Sequence, residues 1–443
     1  MGRFCVPVGR IAPDILQILD FYRVEAFQGI CRITHPSIYQ MLTRKILLGV
    51  SFLLLTTYQT SATLHALQST GYTDLTNDRF SAGFPSAPLV NSSPIFVGAD
   101  MDWAGVGWAP GFVRKGFGFI SPEHYLAAKH FGGSSTVTIF DQTGNLQTKT
   151  QSSVQNTTYG EIFEGQTIGD LSLGTLTEPM NDIPRYGVID LNNASDTNTP
   201  NNYLALPLLV YGHGGNETNS TRVSAAQIEE VTVSGLQHRF LTSRNDVQLE
   251  TYDSGSPNLA DWTNPNDDPE LAIIGNNAGI NDTYNFHNFA GTHEVMSKLN
   301  ELMNDDGRAL HIVGDESNTW EGSSSTDIDR NSAWGIGGNP NAIGATSDKY
   351  VLFDPATASS LSATVDTDYN LRGLYFKSSG TSSDGFSFSG IATLTIGRGG
   401  ITNYDNDTQN FSANLALSAP QYWSVKSGSL SLATLNNNGH LLE

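Results

Sequence analysis

Cysteine is nearly absent from this chain. Only Cys5 and Cys31 occur among its 443 residues, and both precede Met41. Residues 67–443 contain no cysteine, so disulfide bonds cannot stabilise that part of the chain. Its fold must depend on a hydrophobic core and on backbone hydrogen bonds.

Positive charge is also scarce. The chain carries 23 Lys and Arg against 44 Asp and Glu, a formal net charge of −21 at pH 7, and has no basic stripe. Binding of nucleic acid requires clustered Lys and Arg to neutralise phosphates, so we expect no nucleic-acid partner. The acidity favours a highly soluble protein that works outside the cell.

Long apolar runs are missing, except for one short run near the N-terminus. Residues 46–55 are apolar, follow Arg44 and Lys45, and precede a stretch of small residues. This pattern is typical of a secretory signal peptide, and the run is too short to span a membrane. The sequence predicts a signal peptide over residues 41–66, cleaved after Ala62 or Ala66, and a secreted or cell-surface protein.

The residues before this signal match neither a globular domain nor a second targeting signal. We interpret residues 1–40 as upstream sequence that is translated in error, with Met41 as the true start. An unusually long signal-peptide n-region is the alternative.

Helical periodicity is rare, whereas short runs that alternate apolar and polar residues are frequent. This pattern predicts an all-β protein with one amphipathic helix over residues 292–304. The predicted strands include residues 106–108, 118–120, 125–127, 136–140, 204–211, 231–233 and 271–274.

The composition changes beyond about Asp315. The sequence there is rich in Ser, Gly and Asn and carries very short strands, for example residues 394–396 and 430–432. Such strands, spaced regularly by turns, are typical of β-solenoid rungs. We therefore expect a first folded domain over residues 67–314 and a β-solenoid over residues 315–443, whose repeat pattern we expect to be incomplete.

Three segments carry candidate catalytic side chains. The string Asp253-Ser254-Gly255-Ser256-Pro257 predicts a tight turn that exposes a serine hydroxyl. His130 follows an apolar strand and small residues, and Asp170 begins an alternating strand. Taken singly, a structural histidine and a turn aspartate are the commoner interpretations of these residue types.

Together, the three segments resemble the chymotrypsin/trypsin superfamily of serine proteases in order and in local sequence. Ala127-Ala128-Lys129-His130 is similar to the family's histidine motif, and Asp170-Leu171-Ser172-Leu173 is similar to its aspartate strand. Other triad enzymes have a different chain order. The resemblance implies a chymotrypsin-like double β-barrel and an endopeptidase that forms an acyl-enzyme on Ser254, with His130 as base and Asp170 orienting it.

The resemblance also implies a substrate site. The backbone amides of Tyr252 and Ser254 would form the oxyanion hole, although the family has glycine where Tyr252 stands. Gln248, six residues before the serine, occupies the specificity position, and its uncharged amide argues against a strict preference for Lys or Arg. The family implies a protein or peptide substrate and neither a cofactor nor a metal.

A cysteine-free exported protease followed by a β-solenoid most resembles the bacterial autotransporter type. Residues 370–443 are similar to the autotransporter-associated β-strand repeat. This resemblance implies an association with the outer membrane or cell surface through further C-terminal sequence. The alternative is a weak or inactive protease-like surface adhesin or glycan-binding β-solenoid protein.

Other candidate sites have simpler interpretations. His213 lacks a second nearby metal ligand, and we interpret it as a loop residue. We expect His124 to be a structural residue of its strand. The acidic pairs at residues 267–268, 305–306 and 405–407 do not fit a calcium-loop spacing and are interpreted as solvated turns.

Overall fold

Most of the described chain is β-structure. The computed structural model describes residues 74–131, 135–157, 162–163, 166–167, 170–191, 203–212, 221–234, 237–244, 247, 249, 253–281, 283–314, 316–335, 339, 349–378 and 385–443. The chain divides into two units, Met1–Ser69 and Thr70–Glu443. The predicted upstream segment and signal peptide lie outside the described residues.

Six antiparallel strands close into a first barrel in the order β10-β5-β4-β3-β6-β7. The elements of this part are α1 (Asp74–Asn77), β1 (Phe80–Ala82), β2 (Leu89–Val90), β3 (Val106–Ala109), β4 (Phe112–Phe119), β5 (His124–Ala128), β6 (Thr136–Phe140), β7 (Leu146–Asn156), β8 (Ile162–Phe163), β9 (Gln166–Thr167) and β10 (Leu171–Leu176). Strands β5 and β10 are neighbours in this barrel and are buried along their whole length, so both faces of this strand pair are covered.

Six strands form a second barrel in the order β15-β12-β13-β14-β17-β16, and the barrel closes through pairing of β15 with β16. Its elements are β11 (Gly187–Ile189), β12 (Pro207–Gly212), β13 (Arg222–Ser234), β14 (Gln237–Ser243), β15 (Pro257–Thr263), β16 (Pro269–Ile280), β17 (Tyr284–Phe289), α2 (His293–Asn304) and β18 (Ile312–Val313). The short strands β11 and β18 extend the sheet in parallel from β16.

Helix α2 confirms the predicted amphipathic helix. Thr292 is its N-cap, and the Thr292 hydroxyl accepts a hydrogen bond from the backbone N–H of Val295. Its buried face joins the core that the two barrels share: Val295, Met296, Leu299, Leu302 and Met303. The apolar period of the sequence was sufficient to find this element.

The two barrels meet along β4, where two glycines permit close approach. A Cβ on Gly116 would lie 2.2 Å from Oγ of Ser256, and one on Gly118 would lie 2.8 Å from Cβ of Pro257. Because these contacts leave no room for a side chain, the glycines of β4 allow the chain just after Ser254 to lie directly on the first barrel.

The third part is a parallel β-solenoid of about four turns. Its strands are β19 (Glu316–Thr319), β20 (Tyr350–Phe353), β21 (Ser362–Thr364), β22 (Tyr369–Phe376), β23 (Ser387–Ser389), β24 (Thr393–Asn403), β25 (Thr408–Leu417), β26 (Ser424–Val425) and β27 (Ser429–Asn436). Equivalent apolar positions stack from rung to rung, and the rings of Phe388 and Phe411 lie parallel with centroids 4.5 Å apart.

Charged contacts join the solenoid to the second barrel. Both oxygens of the Glu443 carboxylate are held there, one by the guanidinium groups of Arg185 at 2.6 Å and Arg308 at 2.9 Å, and the other by the backbone N–H of Ala309 at 2.8 Å. Burial alone would raise the pKa of Glu443, but the hydrogen bonds and positive charges of these partners hold it below its usual value.

A second, buried ion pair joins Arg372 of β22 to Asp190, directly after β11. The predicted fold class, an all-β chymotrypsin-like double β-barrel followed by a β-solenoid, is thus confirmed. No helix in the described ranges has the length and apolar character needed to cross a membrane.

Candidate active site

His130 and Asp170 lie side by side because β5 and β10 are paired. Leu171 of β10 is in register with Ala128 of β5, so Asp170, just before β10, meets the short 3-10 helix Lys129–Phe131 that follows β5. Nδ1 of His130 lies 2.8 Å from Oδ1 of Asp170, which also accepts the backbone N–H of His130 at 3.0 Å. The side chain of His130 is 43% exposed and that of Asp170 7%.

This geometry orients the imidazole. Because Nδ1 faces a carboxylate oxygen, Nδ1 carries the proton in the neutral ring and the lone pair is on Nε2. The same oxygen accepts both a ring and a backbone donor of His130 and fixes the side chain relative to its own backbone. Such an imidazole is suited to accept a proton at Nε2.

Asn288 of β17 supports the carboxylate from the second barrel. Its Nδ2 donates to Oδ2 of Asp170 at 3.4 Å and to Oδ1 of Asn276 at 2.7 Å, and both asparagines are fully buried. No local motif marks Asn288, because an asparagine in a polar stretch suggests an exposed strand. Only its pairing partners reveal that it lies inside the barrel.

The segment around Ser254 forms a tight turn that is bound to β16. The backbone N–H of Gly255 donates to the carbonyl oxygen of Asn277 at 2.8 Å, and Asn277 N–H donates to Ser256 O at 2.9 Å. Ser256 N–H closes the turn on Asp253 O at 3.2 Å, and Gly255 adopts φ 85°. The turn predicted from Gly255 and Pro257 is present, and the positive φ explains the glycine.

The Ser254 turn packs on the strand that leads to His130. A Cβ on Gly255 would lie 3.1 Å from the backbone nitrogen of Ala128, two residues before His130. The hydroxyl of Ser254 is partly buried and donates to the carbonyl oxygen of Ala278 at 3.2 Å, rather than to the imidazole. The structure thus brings Ser254 to the end of the barrel seam that holds the His130–Asp170 pair, with its hydroxyl on a different acceptor.

Gln248 and Tyr252 lie outside the described residues, as does His213. The strand predicted over residues 271–274 is part of β16, which continues to Ile280.

His124 belongs to a second Ser–His–Asp row that is structural. Its Nδ1 lies 2.8 Å from Oγ of Ser121 and its Nε2 lies 2.9 Å from Oδ2 of Asp306. Both His124 and Ser121 are completely buried, and burial lowers the pKa of His124 despite the opposing charge of Asp306. Because Ser121 is buried, no substrate can reach it. The hydrogen bonds of this row join the turn between β4 and β5 to the segment just after α2.

In the part of the chain that the structure describes, no group of three or more His, Cys, Asp and Glu side chains is placed to hold a metal ion. The described side chains that lie at the seam include an imidazole, a carboxylate and a hydroxyl.

Comparisons with known proteins found similarity among solved structures. No protein-family model matches this chain, and no curated protein matches it. Similar solved structures include human heparin binding protein, at 12% identity over 46% of this chain and 92% of that chain with a TM-score of 0.34, and a mutant of it at 13% identity over the same shares with a TM-score of 0.35. A scabies mite inactivated protease paralogue matches at 14% identity over 47% of this chain and 99% of its own, with a TM-score of 0.34.

These structural neighbours have the chymotrypsin-like serine-protease fold. They cover less than half of this chain. At such identities and TM-scores they assign no activity to it.

Proposed function

We propose that this protein is a secreted serine endopeptidase whose triad is His130, Asp170 and Ser254. The observation that supports the proposal most is the 2.8 Å hydrogen bond between His130 Nδ1 and Asp170 Oδ1, at the seam where the Ser254 turn packs on Ala128. The orientation of this imidazole suits it to act as a general base.

In the proposed reaction, Oγ of Ser254 attacks the carbonyl carbon of the scissile peptide while Nε2 of His130 takes the hydroxyl proton. The same proton then passes to the leaving amine, and water hydrolyses the acyl-enzyme with His130 again as base. Asp170 keeps the proton-bearing Nδ1 oriented throughout. The backbone amides of Tyr252 and Ser254 are the proposed oxyanion donors.

The hydroxyl of Ser254 has to change partner before it reacts. It donates to Ala278 O, and a rotation about the Cα–Cβ bond would move it to another staggered position. Catalytic hydrogen bonds are often long or misaligned without substrate and tighten when substrate binds. We propose that substrate binding brings the hydroxyl to Nε2 of His130.

Labelling with a fluorophosphonate probe tests the proposal. We expect the purified full chain to be modified covalently at Ser254, as located by peptide mass spectrometry, and the Ser254→Ala variant to remain unmodified. Ser256→Ala is a matched control, because its Oγ lies in the same turn but is completely buried and should not react. Labelling that persists in Ser254→Ala would contradict the assignment.

A second candidate function is a protease-like adhesin or glycan-binding protein without useful catalysis. The hydrogen bond from Ser254 to Ala278 favours this second candidate, because this bond uses the hydroxyl proton that His130 would have to accept. Absence of labelling in the wild-type protein, with the fold intact by circular dichroism, would support this candidate over the endopeptidase.

We also infer that the protein is exported and acts on proteins or peptides, in the manner of the autotransporter-type proteases. The support is the signal-like sequence over residues 41–66 and the acidic, cysteine-free remainder. Mass spectrometry of the extracellular protein should find a mature N-terminus directly after Ala62 or Ala66. Recovery of peptides from residues 1–40 in that protein would contradict both the start at Met41 and the cleavage.

A further inference from the structure

The buried side-chain amide of Asn277 holds the Ser254 turn. Nδ2 of Asn277 donates to the carbonyl oxygens of Tyr211 at 2.8 Å and Asp253 at 3.2 Å. The backbone of Asn277 also binds Gly255 and Ser256. Asn277 therefore contacts the residue before Ser254 and the two residues after it, and its side chain links the turn to β12.

The amide of Asn277 is in turn held by a histidine of β17. Nδ1 of His287 lies 3.0 Å from Oδ1 of Asn277, and Nε2 of His287 lies 2.9 Å from Oγ1 of Thr242. The ring of His287 stacks on Phe240, with centroids 4.6 Å apart and planes at 12°. His287 and Thr242 are completely buried, so no water competes for these bonds.

The groups at the two ends of this row of hydrogen bonds determine which atoms donate and which accept. Asn277 Nδ2 faces two carbonyl oxygens, so Oδ1 is the acceptor for His287 and Nδ1 of His287 is the donor. Thr242 Oγ1 accepts from Nδ2 of Asn285 at 3.1 Å, which leaves its own hydrogen for Nε2 of His287. Each group thus has one role that agrees with its neighbours.

Burial keeps this histidine neutral. It lowers the pKa of His287 to about 3, so the ring has one N–H and one lone pair throughout the neutral range. A neutral ring that donates from Nδ1 to Asn277 accepts at Nε2, and the Thr242 hydroxyl supplies that hydrogen. The buried residues His287 and Thr242 therefore favour one orientation of the Asn277 amide.

We propose that His287 is a positioning residue for Ser254, acting through Asn277. Without the N–H of His287, Oδ1 of Asn277 is left buried without the donor from β17. The amide is then held from one side only, by the carbonyls of Tyr211 and Asp253, and can shift. That shift would weaken the link that Asn277 makes between the Ser254 turn and β12. The proposal rests on the proposed catalytic role of Ser254, but the order of the turn can be measured separately.

The test compares three variants of the full chain. His287→Phe keeps a ring on Phe240 and removes the donor, and we expect its second-order rate of fluorophosphonate labelling to fall at least about tenfold. His287→Asn places an amide N–H near the position of Nδ1 and should recover part of that rate. His238→Phe is the matched control, since His238 is a buried histidine of the same barrel that bonds Thr292 at 2.7 Å, away from the turn.

Hydrogen exchange supplies a readout that does not depend on catalysis. In His287→Phe, the amide of Gly255, which donates to Asn277 O, should exchange faster than in the wild type, while His238→Phe should leave it unchanged. If the wild type does not label but this exchange difference is found, the proposed function fails and the positioning role stands.

Two results would overturn the inference. One is a labelling rate in His287→Phe that falls no more than in His238→Phe, with both proteins folded. The other is unchanged exchange over residues 253–257 in His287→Phe. Failure of His287→Asn to recover any labelling would mean that the ring, rather than the N–H, is what the turn requires.

Discussion

At the scale of single residues, glycine decides how closely the Ser254 turn approaches the first barrel. Gly255 combines a φ of 85° with a backbone-to-backbone approach to Ala128. A side chain at this position would meet the nitrogen of Ala128 at 3.1 Å and the carbonyl oxygen of Gly116 at 3.2 Å. Since both are main-chain atoms of the barrel, the turn would have to move.

Gly255→Ala should therefore impair labelling more than it impairs folding. The positive φ alone costs an alanine about 1–2 kcal/mol. Displacement of the turn should in addition lower the labelling rate about tenfold or more. Thermal unfolding and the rate of fluorophosphonate labelling measure the two effects.

Gly144→Ala is the control for Gly255→Ala. Gly144 has a φ of 82°, but the nearest atom to its added Cβ is Phe140 Cζ at 3.9 Å. It should lose a similar amount of stability and label at the wild-type rate. Equal labelling by the two variants would show that the contact with Ala128 does not position the serine.

The residues of the candidate site differ in how far the sequence could predict them. His130, Asp170 and Ser254 stand in local motifs that resemble a known family, and the motifs were sufficient to select them. Asn288 and His287 stand in no motif. They are polar residues of a strand, and such residues suggest solvent exposure until the barrel closes around them.

At the scale of elements, periodicity predicted where strands occur better than how long they are. The strand predicted over residues 271–274 continues to Ile280 as β16, through Asn276 and Asn277. Asparagine is typical of turns, so the pattern ended too early. Strands β15 and β17 pair with β16 on its two sides and supply the hydrogen bonds that keep these asparagines in the sheet.

Helix α2 was predicted almost to the residue because its signals are local. An N-cap at Thr292, an apolar face and Gly307 after the end all lie within one short segment. In contrast, β13 extends over Arg222–Ser234, far beyond the predicted residues 231–233, because its length depends on β12 and β14. Strand length is a property of the partners as much as of the sequence.

At the scale of the whole molecule, buried histidines make the fold sensitive to acid. Burial lowers the pKa of His287 and His311 to about 3, with the positive charges of Lys426 and Arg185 contributing at His311. In the unfolded chain each histidine binds a proton near pH 6.5, whereas in the fold it does not. Their stabilisation is therefore fully present above about pH 6.5 and is lost as the pH falls toward 3.

We expect the melting temperature to fall steeply on acidification, and His311→Phe to reduce the slope. The phenyl ring can keep the contact with Tyr422, whose ring centroid lies 5.2 Å from that of His311, but cannot bind a proton. Removing one such site should reduce the pH dependence by about 1.4 kcal/mol, or roughly 3–5 °C, per pH unit below pH 6. Calorimetry from pH 7.5 to 4.5 measures the melting temperature of both proteins. Parallel curves of melting temperature against pH for the wild type and His311→Phe would contradict the prediction.

The sequence by itself determined the classes of element and the three side chains that resemble a triad, because alternation, helical period and short motifs are local properties. The tertiary structure decided which polar residues of the strands are buried, what holds the Ser254 turn, and which acceptor its hydroxyl uses. These depend on barrel closure and on the approach of one barrel to the other. Contacts between residues more than a hundred positions apart, such as Asp170 with Asn288, leave no mark in either local sequence.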